Sequence, residues 1–459
     1  MPLVLGIPPQ VDDLVQKGLL ERAFHDSLAP EFLFRQDAEW EEWPENSGTE
    51  YVCTRRGQYA PVTKPIPAGQ DPVPMTLAYE QWVATLQRYA AATQVYMPNS
   101  VVANSSLFLS EVHALGVNAG QSLNRIPRNA LYKSYLSGHT CLIQQAASSD
   151  TSIRVAALNG FTDVVIRGQT TKPAAVSSSN PLPILLNGVA KNVIGATPDN
   201  SDDPFGPGTL LLSTTVGATV AVRSAVLSIY RPVVLRAGGG ATVDAISSGD
   251  TTLLQDFINI AGKLRTNNVP PHEDGTYHCH MPNAANNQLF ADPAWQRAET
   301  GLFNGEEYQA GVIKRIGGIT FILNNECPDD TNSGAQTATG TNAKYSEDIG
   351  AETVNESSVR IGRAIITGRG ALRERGLDEK GFVTEAGVTG KIRSFQVTNM
   401  GMAIKTDRVR LILRAPINVL QDQVAMAWDI STSFTTPSDV IAGSNERYKR
   451  GVMYEFALE

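Results

Sequence analysis

Residues 35–80 constrain this chain more than any other stretch. They run RQDAEWEEWPENSGTEYVCTRRGQYAPVTKPIPAGQDPVPMTLA and on, with Trp40, Trp43, Tyr51 and Tyr59 scattered among proline, glycine and charge. Thr49, Tyr51, Cys53 and Arg55 share one alternation, the pattern of a hairpin strand. An isolated two-stranded arm is marginal in water. Long irregular loops are also uncommon inside compact domains. The stretch is therefore either a loose surface loop or an arm covered by something else, and we expect an arm packed on a neighbouring molecule.

The rest of the chain can supply a core. Its 459 residues suggest about three structural units at roughly 150 residues each. Charged residues make up 18%, under the ~25% usual for soluble domains. That is expected where much of the surface faces other subunits. No apolar run reaches the ~18 residues of a bilayer span. The start, MPLVLGIPPQVDDL, lacks the basic and apolar regions of a signal peptide, so synthesis and use in a cytoplasm are expected. Cys53, Cys141, Cys279 and Cys327 form no CxxC pair and read as reduced, packed thiols.

Charge is unevenly placed. Residues 1–50 hold eleven acidic and three basic residues, which accounts for the whole net charge of -8. The remaining 409 residues are neutral overall, unlike a dedicated nucleic-acid binder. The acidic, tryptophan-bearing run Glu39–Trp43 suits a basic strip, either Arg55 and Arg56 or one elsewhere in the neutral remainder.

Periodicity predicts a short helix over 11–24 and a long one from Leu107, which Pro127 should end or kink. A second helical stretch then runs towards Gly138. Residues 152–236 change to short alternating runs separated by turn signals such as Asn187–Gly188, which predicts a small β-sandwich or barrel. Residues 250–265 read as a helix capped by Asp250 or Thr251, followed by the strand TYHCHM. Further on, VRIGRAIIT and RVRLILR read as strands, and GRGALRERG as a tight turn from strand to helix at Ala371.

Chemistry finds little support. His278 and His280 share one face of a strand and Cys279 the other, so this spacing alone does not gather three ligands, and structural histidines are expected. AGGGAT and GRGALRERG match neither a dinucleotide fingerprint nor a P-loop. No GxSxG, HExxH or kinase motif is present.

The order of segments resembles the major capsid proteins of tailed bacteriophages, whose fold is named after phage Hong Kong 97. An arm and an extended loop precede a long helix, and LLQDFINIAGKLRTNNVPPHEDGTYHCHMP supplies a later helix-to-strand step. LFADPAWQRAETGLFNGEEYQAGVIKRIGGITFILNN is similar to a helix, glycine turn and strand of one podovirus branch, and RIGRAIITGRGAL to a late strand and turn there. The β insert departs from the minimal fold, although some podoviral coats carry an inserted domain.

The resemblance implies an α+β fold of the Hong Kong 97 type with an inserted all-β domain. It implies an N-terminal arm at 1–34, an extended loop at 35–90, and a peripheral and spine core at 91–151 and 241–290. The inserted β domain would occupy 152–240, an axial domain 291–400, and a return to the peripheral domain 401–459. It further implies a structural protein, not an enzyme, with no cofactor or metal, that assembles into pentamers and hexamers. These would form an icosahedral shell around double-stranded DNA, without sequence-specific binding and without a membrane. Portal, scaffold and decoration proteins are the implied partners, and the virion, assembled in the cytoplasm of a host bacterium, is the implied location. Inter-subunit contacts are expected at Trp40, Trp43, Tyr51, Arg55, Arg56 and Tyr59. The alternatives are a tail-tube or adhesin protein, suggested by the β-rich insert, and a cytoplasmic enzyme using the region His272–His280.

Overall fold

Phe108, Val112, Leu115, Ala119 and Leu123 recur at three- and four-residue steps, which puts them on one face of a helix. In the computed structural model they lie on the helix Leu107–Tyr135 and are all buried. The structure describes residues 27, 33–44, 47–56, 62–67, 69–72, 74, 79–96, 107–164, 174–302, 313, 315–329, 335–337, 344–377, 392–397, 407–414, 423–437 and 450–458. The helix expected at 11–24 and the side chain of Tyr59 lie outside these residues. The class is mixed α+β, as expected.

The chain divides into two compact units. The first takes Met1–Tyr51, Ala84–Arg128 and Leu372–Thr435. Its sheet runs in the order Ala38–Glu42, Leu372–Gly376, Gln423–Thr435, Asp407–Arg414, Ile392–Val397, and Gln87–Tyr96 also pairs with Gln423–Thr435. Val424, Met426, Trp428 and Ile430 alternate on the long central strand and pack with the apolar face of the helix. The Trp428 indole N–H donates to Asn118 Oδ1 at 3.1 Å, which satisfies the one polar atom of that large side chain.

The second unit takes Val52–Val83, Asn129–Ala371 and Thr436–Glu459, and contains two larger sheets. One runs Val234–Arg236, Gly451–Ala457, Ile361–Thr367, Tyr277–Met281, Ile319–Leu323, Arg315–Ile316. Its central strands IGRAIIT and GVMYEFA are buried at every residue, as strands covered on both faces are. The helix Leu254–Thr266 packs Phe257, Ile260, Ala261 and Leu264 into the same core.

The other sheet closes on itself. Its order is His139–Cys141, Ala225–Ser228, Leu182–Leu186, Val189–Pro198, Gly208–Leu212, Ser152–Val155. A bridge from Leu142 to Val155 joins the last strand back to the first, which makes a six-stranded barrel. Ile153, Val155, Leu182, Ile184, Leu186, Leu210 and Leu212 fill it at alternate positions. Asn187 and Gly188 both have positive φ, 47° and 84°, the two-residue turn that matches the twist of a hairpin.

Three local expectations need correction. GRGALRERG leads from strand to strand, since Leu372–Gly376 pairs with both Ala38–Glu42 and Gln423–Thr435. Pairing on both edges, with Leu372, Glu374 and Arg375 buried, overrides the local helical bias. Pro127 lies inside one helix and does not end it. Leu123 and Asn124 before it and Arg128 after it are buried, so packing compensates for the missing donor. Neither Asp250 nor Thr251 caps the helix Leu254–Thr266; the Leu254 N–H donates to Asp292 Oδ2 at 2.8 Å.

Candidate functional site

The acidic run at residues 39–43 finds its basic strip within its own chain. Ala38–Glu42 lies parallel to Leu372–Gly376, with Trp40 opposite Glu374 and Glu41 opposite Arg375. Arg373 meets Glu41 at 3.0 Å and Glu39 at 3.5 Å, and Arg375 also pairs with Glu41. Beneath these, Arg35 and Glu374 form a buried pair, with Nε 3.0 and 3.1 Å from the two carboxylate oxygens and Nη2 2.5 Å from Oε1. The Thr432 hydroxyl donates to the same carboxylate at 3.4 Å. One turn before, the Leu33 and Phe34 N–H groups donate to Asn124 Oδ1 at 3.1 and 2.9 Å.

The aromatic residues extend this root. The Trp43 N–H donates to the Gly376 carbonyl at 2.9 Å and its indole N–H to the Gly48 carbonyl at 3.2 Å. Its ring meets the Tyr51 ring edge-on at 5.9 Å, and the Arg375 guanidinium lies 4.2 Å from the Tyr51 ring centre. Trp43 is 2% exposed and so is covered by its own chain. Trp40 is half-buried, and its ring lies where a side chain on Gly376 would be. The structure thus brings Trp40, Trp43 and Tyr51 to one place. Arg55 and Arg56 lie on the strand Glu50–Arg56.

That strand pairs with Tyr79–Thr85 as a two-stranded hairpin. The Leu86 N–H donates to the Thr49 carbonyl at 2.8 Å, and Gln81 Nε2 to the Thr54 hydroxyl at 3.1 Å. Cys53, Trp82 and Ala84 are buried, whereas Val52 is exposed. The connection between the strands carries Val62 and Ile66 at 68% and 52% exposure, with Lys64, Pro65 and Pro67 exposed around them. Alternation showed the strand. The pairs of Arg35 with Glu374 and of Arg373 and Arg375 with Glu41 left no local pattern, because the partners lie more than 300 residues apart.

The histidines have structural partners. His272 and His278 stack with ring centres 4.0 Å apart. His278 Nε2 lies 3.3 Å from Asp274 Oδ2, and His272 Nε2 lies 3.3 Å from the Thr367 hydroxyl. Burial raises the Asp274 carboxyl, but hydrogen bonds from Thr276 and the neighbouring His278 outweigh it and bring it down to about 2. His280 and Cys279 are fully buried in the sheet. Elsewhere, ligand-type atoms of Cys141, Asp244 and Glu352 lie within 4.8 Å of one another. The cation among them is Arg223, at 2.7 Å from Asp244 and 2.9 Å from Glu352. Among the described residues, no helix is long and apolar enough to cross a membrane.

No family model and no curated protein sequence matches the chain. Among solved structures it is similar to the cyanophage Pam1 capsid, with 11% identity, a TM-score of 0.47, and 95% of this chain and 92% of that chain covered. It is similar to the capsid of cyanophage P-SCSP1u, with 10% identity, a TM-score of 0.46 and coverage of 93% and 88%. The capsid of Ralstonia phage GP4 matches with 12% identity, a TM-score of 0.43 and coverage of 92% and 87%. Over nine-tenths of its length, then, the chain is similar to the capsids of phages.

Proposed function

We propose that this chain is the major coat protein of a tailed phage, a structural subunit of the Hong Kong 97 type. Pentamers and hexamers of it form a closed icosahedral shell around double-stranded DNA. One observation carries the reading: the connection of the hairpin Glu50–Arg56 and Tyr79–Thr85 carries exposed Val62 and Ile66. Apolar side chains held out on a fixed arm gain by burial, about 1.5–3 kcal/mol each. A neighbouring copy is the surface always available to a self-assembling chain.

In this reading the chain's work is binding. Each contact is weak, and closure makes the shell stable. Obligate interfaces of this kind commonly bury about 2,000–5,000 Å². Trp43 and Tyr51 also pack within the chain, against one another and Arg375, while Trp40, Arg55, Arg56, Tyr59 and the hairpin connection meet the neighbour. The domain layout is the one set out from the sequence, except that the closed barrel, taken as the inserted domain, also includes the strand His139–Cys141. The neutral remainder lets packaged DNA slide, and portal and scaffold proteins complete assembly in the host cytoplasm.

The test is the double substitution Val62→Asp, Ile66→Asp in the full chain. Both residues are exposed, so the melting temperature of the unassembled chain should stay within about 2 °C of wild type, as for other surface changes. Shells should disappear from electron micrographs and the chain should sediment as small species. Normal shells from this variant would contradict the arm's role.

A further inference from the structure

His139 lies half-buried at the joint between the barrel and the adjoining sheet, with its Nδ1 covered. It opens the barrel strand His139–Cys141, opposite Leu227. It lines a cavity of about 30 Å³ with Cys141, Arg236, Glu352 and Glu455, room for about two waters. Its Nε2 lies 2.8 Å from the Pro232 carbonyl oxygen. A carbonyl only accepts, so Nε2 carries the proton and Nδ1 keeps a lone pair. Nδ1 is buried and has no hydrogen-bond partner.

The surrounding charges are already matched. Arg231, Arg236 and Glu455 are the charged groups acting on His139. Glu455 is held by Arg236 and Arg363, each at 2.8 Å. Across the cavity, Arg223 holds Asp244 and Glu352. These three guanidiniums face three carboxylates, which leaves no spare negative charge for an imidazolium. Burial first, and then Arg236, push His139 down to about 3.

The core of the barrel is formed without side chains of the adjoining sheet. The barrel has a closed sheet and its own core. Arg223, which reaches from the barrel to Asp244 and Glu352, holds a positive φ of 67°, a conformation that costs a non-glycine residue about 1 kcal/mol or more.

We propose that His139 is a proton-operated latch: uptake of one proton at Nδ1 opens the joint between the barrel and the sheet and leaves the barrel folded. The neighbouring carboxylates do not duplicate this. Burial pushes the Glu352 carboxyl up, so proton uptake there favours the closed joint and does not drive opening. For Glu455, burial raises the carboxyl but Arg236 and Arg363 bring it net below the usual range, so it acts only in stronger acid. His139 is neutral in the closed joint and takes up a proton near its ordinary 6.5 once open. Opening is therefore favoured as pH falls below about 6.5, up to tenfold per unit.

The experiment is hydrogen exchange of the full chain at pH 7 and pH 5, with labelling times scaled to the intrinsic exchange rate. The opening constant of residues 229–236, which lead from the barrel into the sheet, should rise about 25-fold, while the barrel strands His139–Cys141, Ala225–Ser228, Leu182–Leu186 and Gly208–Leu212 stay protected. His139→Gln, which keeps a donor for Pro232 but cannot take the proton, should lose the rise. Equal pH dependence in wild type and H139Q overturns the proposal. Should H139Q fail to fold, histidine-selective NMR of the wild type decides. His139 titrating near 6.5 in the closed protein overturns the latch, and a ring that stays neutral in the closed form while a protonated, open form grows towards pH 5 supports it.

Discussion

Arg35 and Glu374 show what a single residue does here. Both side chains are under 7% exposed, and each is the charge that allows the other to be buried. Glu374→Gln should destabilise the first unit by about 3 kcal/mol, because it leaves a buried guanidinium without a counter-charge. Urea unfolding followed by tryptophan fluorescence measures it; a loss below 1 kcal/mol would show the pair to be solvated. Trp43 belongs to the same set. At 2% exposure, Trp43→Ala should cost about 3–5 kcal/mol in the unassembled chain, read in the same way. The sequence marked Trp43 as important by its setting among charges. It did not show whether the ring faces its own chain or another, because that depends on Arg375 and Gly376, far along the chain.

Elements were legible where a local pattern dictated them. The helical face from Phe108 to Leu123, the turn at Asn187–Gly188 and the strands at Tyr277–Met281 and Ile361–Thr367 all follow from spacing and turn chemistry. What was missed depends on distant partners. Leu372–Gly376 is a strand because strands on both sides pair with it. Pro127 sits in a continuous helix because buried neighbours hold the turn. Asp292 is the clearest case: one carboxylate oxygen accepts from Leu254 N and the other from Ala294 N, each at 2.8 Å, so it serves the first turns of two helices. Its place before Pro293 marks the nearer helix, while the 38-residue step back to Leu254 leaves no local trace. Asp292→Ala should therefore cost about 2 kcal/mol, the upper end for a cap, and Asp292→Asn should recover most of it in the same unfolding experiment. Equal losses from both variants would assign the effect to charge, not to the two hydrogen bonds.

At the scale of the whole molecule, the acidic first fifty residues gain a physical account. Glu39 and Glu41 are matched by Arg373 and Arg375, so part of the acidic charge of the first fifty residues is used in holding Ala38–Glu42 to Leu372–Gly376. This strip is polar and ionic, whereas the hairpin connection presents Val62 and Ile66. That division suits a chain that must fold alone and then join others. It also predicts salt dependence: raising ionic strength screens half-exposed pairs such as Arg373–Glu39 but strengthens apolar contacts. Assembly, followed by light scattering, should therefore rise with sulfate, whereas a fall would place charge at the centre of the subunit contacts.

The central claim is that this polypeptide is a shell subunit. Negative-stain electron microscopy of the purified, concentrated chain tests it most directly. Closed shells of uniform diameter are the predicted result; tubes, fibres or a monodisperse 49 kDa particle would contradict it.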